Sequence, residues 1–357
     1  IGMSTASIND ILISALRSGA SDVHITVGIP PKMRVNGKLM TLAGFERLLP
    51  EDTQRMGLEI MNERQKEILS RRGQFDMAYA IPGTGRFRVN LFRQRGSIAI
   101  VLRVVAGQVP SAKSLGIPDS VIDLYQHPRG LVLVTGPTGS GKSTTLASII
   151  DLINNNLEQH ILTLEDPIEF TYRHHLSIVN QREIGIDSDS YADALRSALR
   201  EDPDVILVGE MRDLETISTA ITAAETGHLV FSTLHTIGAA STVDRIIDVF
   251  PPHQQQQIRF QLANVLDAVI SQQLLPSISG RERVAAFEVL HVNGAVRNMI
   301  RESKTHQLIT VMQTGRRLGM ITMDEAIIQL YQKKKITKET AIQYAQEPET
   351  MLMKLGG

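Results

Sequence analysis

The chain has 357 residues, of which 42% are hydrophobic and 21% charged, and its formal net charge at pH 7 is −1. The absence of cysteine excludes a disulfide framework and a cysteine-ligated zinc site, and it fits a reducing compartment. Because the sequence has no signal peptide and no run of about 18 apolar residues, we expect a cytoplasmic protein of about two domains without a transmembrane segment.

The first part of the chain predicts a small α+β domain. Periodicity and turn residues predict, in chain order, a helix over 6–18, strands at 23–25, 32–35 and 38–40, a helix near 51–70, and strands near 75–81, 86–93 and 97–105. Asn36-Gly37 is a hairpin signal between two of these strands. The segment 106–118, which contains Gly and Pro, is predicted to be a linker.

Charge is distributed unevenly along the chain. Residues 1–110 hold 15 Lys and Arg against 9 Asp and Glu, whereas the remainder holds 22 against 29. A basic first domain has three interpretations. It could bind nucleic acid, its arginines could contact a phosphate that another part of the chain or another subunit holds, or the charges could be scattered over the surface without a specific role. The charge pattern alone leaves these three interpretations open.

Residues 131–144 carry the strongest functional signal. An apolar run, 131–134, ends at a glycine-rich loop, and a helical pattern follows at once, which is the setting of a phosphate-binding P-loop. We predict that Lys142 reaches the β- and γ-phosphates of ATP and that the Ser143 hydroxyl holds Mg²⁺. The residues assigned to nucleotide binding are Gly136, Thr138, Gly139, Ser140, Gly141, Lys142, Ser143 and Thr144.

From Leu131 onward, apolar strands alternate with helices, which predicts a parallel sheet covered on both faces, and the last 70 or so residues look mainly helical. Ligands of such sheets lie beyond the carboxyl ends of the strands. The strand 204–208 leads there to Glu210, which we assign as general base or water-orienting residue and as a possible Mg²⁺ contact. Gly209 stands where a Walker B strand usually has Asp.

Two further strands end in polar residues at the same edge. The strand 161–164 leads to Glu165, which we assign to a second contact with water or Mg²⁺. Glu169 in the following loop fits a role at the site and an ordinary surface carboxylate equally well. The strand 229–234 leads to His235, which we expect to hydrogen-bond the γ-phosphate or its attacking water.

Four motifs in this order resemble the Walker A, Asp box, Walker B and His box of secretion-superfamily ATPases. They are Gly136–Ser143, Leu164–Glu169, Val208–Glu210 and Gly227–Thr236. Three more segments, 19–25, 195–204 and 295–302, resemble the PilT family of type IV pilus retraction ATPases. The resemblance covers essentially the whole chain.

The resemblance implies an α/β RecA-like P-loop ATPase domain preceded by a smaller α+β PAS-like domain. The expected boundaries are 1–105 for the PAS-like domain, 106–118 for the linker and 119–357 for the ATPase domain with its helical C-terminal part. It also implies a cytoplasmic homohexamer at the inner membrane that works against the pilus platform protein and, indirectly, pilin. Arg88 and Arg103 match the arginines that close over ATP in the family, and Arg86, on the same strand face as Arg88, is the alternative to Arg88 for this contact.

Four alternatives remain. Within the superfamily these are an accessory retraction paralogue and a pilus-assembly or secretion ATPase; the latter usually has an extra N-terminal domain and a tetracysteine zinc site. A RecA-like nucleic-acid translocase would need stacking residues, but aromatic residues make up 4% and Trp is absent, so no nucleic acid is expected. A non-hydrolysing scaffold is disfavoured by Lys142, Ser143 and Glu210.

Overall fold

The computed structural model describes residues 6–105 and 107–356. The chain divides into two compact units, Ile1–Gln108 and Val109–Gly357. Each unit has a hydrophobic core of its own, as expected for separate domains. Among the described residues, no helix is both long and apolar enough to cross a lipid bilayer.

In the first unit, the described residues form six strands and three helices. The elements are α1 (Ile8–Arg17), β1 (Asp22–Ile25), β2 (Lys32–Val35), β3 (Lys38–Thr41), α2 (Pro50–Ile60), α3 (Glu63–Arg72), β4 (Gln74–Ile81), β5 (Gly85–Gln94) and β6 (Ser97–Val104). The strands make one antiparallel sheet in the order β3-β2-β1-β6-β5-β4. Its core includes Ile11 and Leu12 of α1 and Leu91 and Leu102 of the sheet, all buried.

Turn and capping residues decide two details of this unit. Asn36 and Gly37 have φ of 50° and 83°, the positive values that a tight two-residue hairpin turn requires, so the predicted hairpin is confirmed. The single helix predicted near 51–70 is wrong, because the chain becomes extended at Met61 and a new helix begins. Asn62 caps that helix by accepting from the Gln65 amide, and the Gln65 side chain accepts from the Asn62 amide in return.

The second unit alternates strands and helices. Its elements are α4 (Asp119–Ile122), β7 (Gly130–Thr135), α5 (Lys142–Asn156), β8 (His160–Glu165), β9 (Ile178–Glu183), α6 (Tyr191–Ala198), β10 (Val205–Val208), α7 (Leu214–Glu225), β11 (Leu229–Leu234), α8 (Ala239–Asp248), α9 (Pro252–Val265), β12 (Leu266–Pro276), β13 (Arg283–His291), α10 (Gly294–Arg301), α11 (Leu308–Thr314), α12 (Met323–Gln332), α13 (Lys338–Tyr344) and α14 (Pro348–Lys354).

Seven described strands of this unit form one sheet in the order β13-β12-β7-β11-β10-β8-β9. Alternate residues of β7 enter two different cores, Leu131 and Leu133 on one face and Val132 and Val134 on the other, so both faces are covered as predicted. The prediction of a parallel sheet is wrong at one edge, where β13 runs antiparallel to β12. The connection between these two strands is only 277–282, and a connection so short joins antiparallel neighbours.

Candidate functional site

The glycine-rich loop lies between β7 and α5, as its sequence setting predicts. At Gly136, φ is 150°, and a Cβ atom there would lie 2.4 Å from the Gln272 carbonyl oxygen and 2.6 Å from Ser140 Oγ. At Gly141, φ is 90°, and a Cβ atom would lie 2.8 Å from Gln272 Nε2. Glycine at these two positions therefore lets the loop pass directly against β12.

Gln272 supports this loop, although no sequence pattern pointed to it. Its Oε1 accepts a hydrogen bond of 2.6 Å from Thr145 Oγ1 in the first turn of α5, and both groups are buried. Its backbone and amide approach Gly136 and Gly141 closely. A lone glutamine has no signature in a sequence, and β12 itself was not among the predicted strands.

We expect Gly136→Ala to lower the free energy of unfolding by about 1–3 kcal/mol, because the new Cβ atom must displace the β12 backbone or the loop. Chemical denaturation of the nucleotide-free protein measures the change. Gly294→Ala is the matched control, since a Cβ atom there meets no other atom within 4 Å at an ordinary φ. Equal stability of the two variants would contradict the tight contact between the loop and β12.

Lys142 is the first residue of α5 and is buried. Its Nζ donates to the Gly136 carbonyl oxygen at 2.6 Å and to His235 Nδ1 at 3.1 Å. Burial lowers the pKa of Lys142, while the negative charge of Glu210 opposes that shift. The ammonium is therefore poorly hydrated and is held at the loop by neutral acceptors, which an anionic phosphate can replace.

His235 links Lys142 to Glu210. Because Lys142 donates to Nδ1, the ring proton lies on Nε2, which donates to the Glu210 carboxylate. Arg212 Nε is 2.8 Å from the same carboxylate. Burial raises the pKa of Glu210, but hydrogen bonds from Arg212 and His235 and the positive charge of Arg212 outweigh it and hold the pKa below its usual value, so Glu210 is ionised at neutral pH.

Glu165 is the last residue of β8. Its Oε2 accepts hydrogen bonds from Thr163 Oγ1 at 2.7 Å and from Gln181 Nε2 at 3.1 Å. These contacts orient the carboxylate from its own strand and from the neighbouring β9, which was not predicted.

A cavity of about 450 Å³ unites these groups within the second unit. Its volume is in the range of small-molecule sites. Predicted residues that line it are Thr138, Gly139, Ser140, Gly141, Lys142, Ser143, Thr144, Glu165, Glu210 and His235, and Glu169 lines it as well. Asp166, which belongs to the predicted motif Leu164–Glu169, lines it too, and residues that sequence reasoning missed include Phe170, Tyr172, Tyr191 and Leu274. Gly136 is the one predicted loop residue that is absent from this lining, and it directly follows the last residue of β7.

The two predicted arginines belong to the first unit, where Arg88 of β5 lies directly opposite Arg103 of β6. Like charges in this position disfavour strand pairing. Asp22 of β1 offsets part of that cost, because its Oδ1 is 3.2 Å from Arg103 Nε. Both arginine side chains are exposed, so the sheet presents two neighbouring positive groups to a ligand.

Comparison with known proteins identifies the family. The profile described as Type II/IV secretion system protein matches residues 2–356. The chain belongs to this family. The type IV pilus retractation ATPase PilT of Pseudomonas aeruginosa is 46% identical over 96% of this chain and 99% of its own length. A twitching motility protein of Neisseria gonorrhoeae is 49% identical over 90% of this chain and 86% of its own length.

Solved structures agree with this assignment to the secretion family. A crystal structure of the pilus retraction motor PilT with bound ADP has a TM-score of 0.89 and 51% identity to this chain, and the match covers 97% of this chain and 98% of that one. The predicted fold class, a RecA-like ATPase domain preceded by a smaller PAS-like domain, is confirmed. We therefore expect the cavity of this chain to bind a nucleotide.

Proposed function

We propose that this chain hydrolyses ATP and uses the energy to power retraction of a type IV pilus. One observation carries the proposal: Lys142, His235 and Glu210 form a continuous hydrogen-bonded series across the cavity, which joins the P-loop to the carboxyl edge of the sheet. A binding scaffold has no need of an ionised carboxylate held in this way. Identity of 46% to a retraction ATPase over nearly the full chain supports the mechanical task.

The proposed reaction uses the groups that line the cavity. Backbone amides of the loop and the Lys142 ammonium bind the β- and γ-phosphates. Glu210 orients a water molecule, whose oxygen bonds to the γ-phosphorus as the bond from phosphorus to the β,γ-bridging oxygen breaks. One proton of that water passes to Glu210 and then to the departing phosphate, while the electron pair of the broken bond stays on ADP.

The residues present also fit Mg²⁺. Among residues 6–105 and 107–356, no group of three or more His, Cys, Asp or Glu side chains is arranged to hold a metal alone. Mg²⁺ in nucleotide sites needs none, because phosphate oxygens and water supply most of its ligands. The exposed Ser143 hydroxyl would hold the ion directly and Glu210 through water, and the ion would neutralise charge on the phosphates.

His235 is proposed to report the state of the site. When a γ-phosphate takes the Lys142 ammonium, His235 Nδ1 loses its donor while Nε2 keeps Glu210 as partner. The ring then becomes free to accept from another group or to turn. Because His235 directly follows β11, its movement reaches the loop that leads into α8.

The assembly and its partners complete the proposal. We propose a homohexamer on the cytoplasmic side of the inner membrane that contacts the pilus platform protein and, through it, pilin. Arg88 and Arg103 would close over ATP, because arginine keeps its charge and its planar fork matches phosphate oxygens. This role explains why two arginines occupy directly opposed positions on β5 and β6.

The test combines biochemistry with a cell assay. Mg²⁺-dependent ATPase activity and particle mass are measured on the purified chain, and pilus retraction is measured in a strain whose own retraction motor has been deleted. A six-subunit ATPase that restores retraction supports the proposal. ATPase activity without retraction would indicate an accessory paralogue, and an increased number of pili would indicate an assembly ATPase. Stimulation of the ATPase activity by DNA would indicate a translocase. Absence of ATP turnover would indicate a scaffold.

A further inference from the structure

Tyr191 occupies the space that a Walker B aspartate would use. It is the first residue of α6, and its hydroxyl oxygen lies 2.6 Å from the position of a Cβ atom built on Gly209. The carbonyl oxygen of Leu164 lies 3.1 Å from the same position. A side chain at position 209 would therefore need the Tyr191 phenol to shift and would press on the Leu164 carbonyl, so Gly209 and Tyr191 fit each other as they stand.

The Tyr191 hydroxyl faces the cavity and has no competing partner. The side chain lines the cavity with Glu210, Glu165 and Asp166. Across the described residues, its hydroxyl makes no hydrogen bond. Burial raises the pKa of Tyr191, and the negative charges of Asp166, Glu210 and Glu165 raise it further, so the phenol keeps its proton at neutral pH.

A neutral hydroxyl in the same cavity as an ionised Glu210 complements it. The carboxylate of Glu210 only accepts hydrogen bonds, and its ion pair with Arg212 and its hydrogen bond from His235 are both made through one oxygen, Oε1. A water molecule bound to Glu210 donates one hydrogen bond to the carboxylate. A second contact is needed to orient the water oxygen towards the γ-phosphorus. A phenol oxygen can accept the second proton of the water, and that contact limits the rotation of the water.

We propose that Tyr191 is a further positioning residue of the ATPase site, whose hydroxyl hydrogen-bonds the water that Glu210 orients for attack on the γ-phosphate. The inference rests on the proposed ATP hydrolysis. Bond making and breaking are those given above, with the water proton still passing to Glu210. Tyr191 holds the water at the place where a Walker B aspartate would otherwise lie.

The direct test is Tyr191→Phe, which removes the hydroxyl and keeps the ring that packs against Gly209. We expect kcat to fall about tenfold, the value of one net hydrogen bond in the transition state, with KM for ATP and the Kd for ADP changed less than twofold. Tyr331→Phe is the matched control, because Tyr331 belongs to α12 and packs against the C-terminal core instead of lining the cavity.

Three results overturn the inference while wild-type turnover is intact. The first is a Tyr191→Phe enzyme with the kcat and ATP affinity of the wild type, and the second is an equal fall of kcat in the Tyr331→Phe control. The third is weaker ATP binding by Tyr191→Phe at unchanged kcat, which would mean that the hydroxyl contacts the ground-state phosphate. If the wild-type hexamer itself shows no Mg²⁺-dependent turnover, the proposed function fails first and this inference falls with it. The two failures are therefore distinguishable in one set of assays.

A double-mutant cycle tests the placement of the hydroxyl without any catalysis. Gly209→Ala should lower the melting temperature in the wild-type background, because the new Cβ atom meets the hydroxyl at 2.6 Å. With Tyr191→Phe, the contacts that remain are 3.1 Å to Leu164 O and 3.4 Å to the Tyr191 ring, so the loss should be smaller. Additive effects would show that the hydroxyl does not lie against Gly209 and would overturn the inference.

Discussion

Glu210→Gln is expected to lower kcat for ATP hydrolysis by about 10³-fold while the affinity for ADP changes little. The amide keeps the size of the side chain but cannot take a proton from water, and general-base catalysis typically contributes about 10²–10⁴-fold. Steady-state phosphate release measures kcat, and calorimetry measures ADP affinity.

Glu225→Gln, at the exposed end of α7, provides the matched control for the change of charge and should leave kcat as in the wild type. A Glu210→Gln enzyme with wild-type turnover would contradict the general-base assignment.

The pH dependence of the free energy of unfolding gives a second test of the state of Glu210. Since the pKa of Glu210 lies below the ordinary 4.5, its ionised form favours folding above about pH 4.5, and this contribution disappears as pH falls through the lowered pKa. The Gln variant should lack it.

Lys142→Ala is expected to weaken ATP and ADP binding by about 100-fold or more and to abolish turnover at ordinary ATP concentrations. The loss corresponds to the charge-assisted hydrogen bonds that a buried ammonium makes to phosphate oxygens. Thermal unfolding with and without ADP provides the measurement, because a ligand that binds only the folded state raises its stability in proportion to the logarithm of concentration over Kd. We expect that rise to vanish in the variant.

The nucleotide-free Lys142→Ala protein separates binding from folding. Because burial lowers the pKa of Lys142, keeping its ammonium charged inside the protein costs folding free energy at neutral pH, and this cost would fall only as pH rises through the lowered pKa. The variant without ADP should therefore melt no lower than the wild type. Lys354→Ala, at the exposed end of α14, controls for loss of a charge. A folded Lys142→Ala protein that binds ADP normally would contradict the role of the P-loop lysine.

Local patterns predicted well which residues line the cavity at the carboxyl edge of the second unit's sheet. Lys142 directly follows the glycine-rich loop, His235 directly follows an apolar strand, and Glu210 is the second residue after one. Parallel strands bring such positions to one edge of a sheet. No knowledge of which strands are neighbours was needed for that inference. The structure then supplied the contacts among the three residues, which depend on the order β7-β11-β10.

Other residues of the site lie beyond what a local pattern can indicate. Tyr191 lines the cavity from α6 and Gln272 supports the glycine-rich loop from β12, and their partners Gly209 and Gly136 are distant from them in the sequence. Arg212 is two residues after Glu210 and 77% exposed, and nothing in the sequence distinguishes it from an ordinary surface charge. Such contacts arise when elements pack, because packing brings together residues that have no fixed spacing along the chain.

The sequence by itself determined the P-loop, the residues at the ends of the three strands that follow it, and the hairpin at Asn36-Gly37, since backbone conformation and hydrogen bonding within a few residues dictate each of them. Only the tertiary structure decided that His235 joins Lys142 to Glu210, that β13 closes one edge in antiparallel fashion, and that Tyr191 stands in place of an aspartate. These features depend on strand order and on the close packing of side chains from separate elements, and both are properties of the folded chain as a whole.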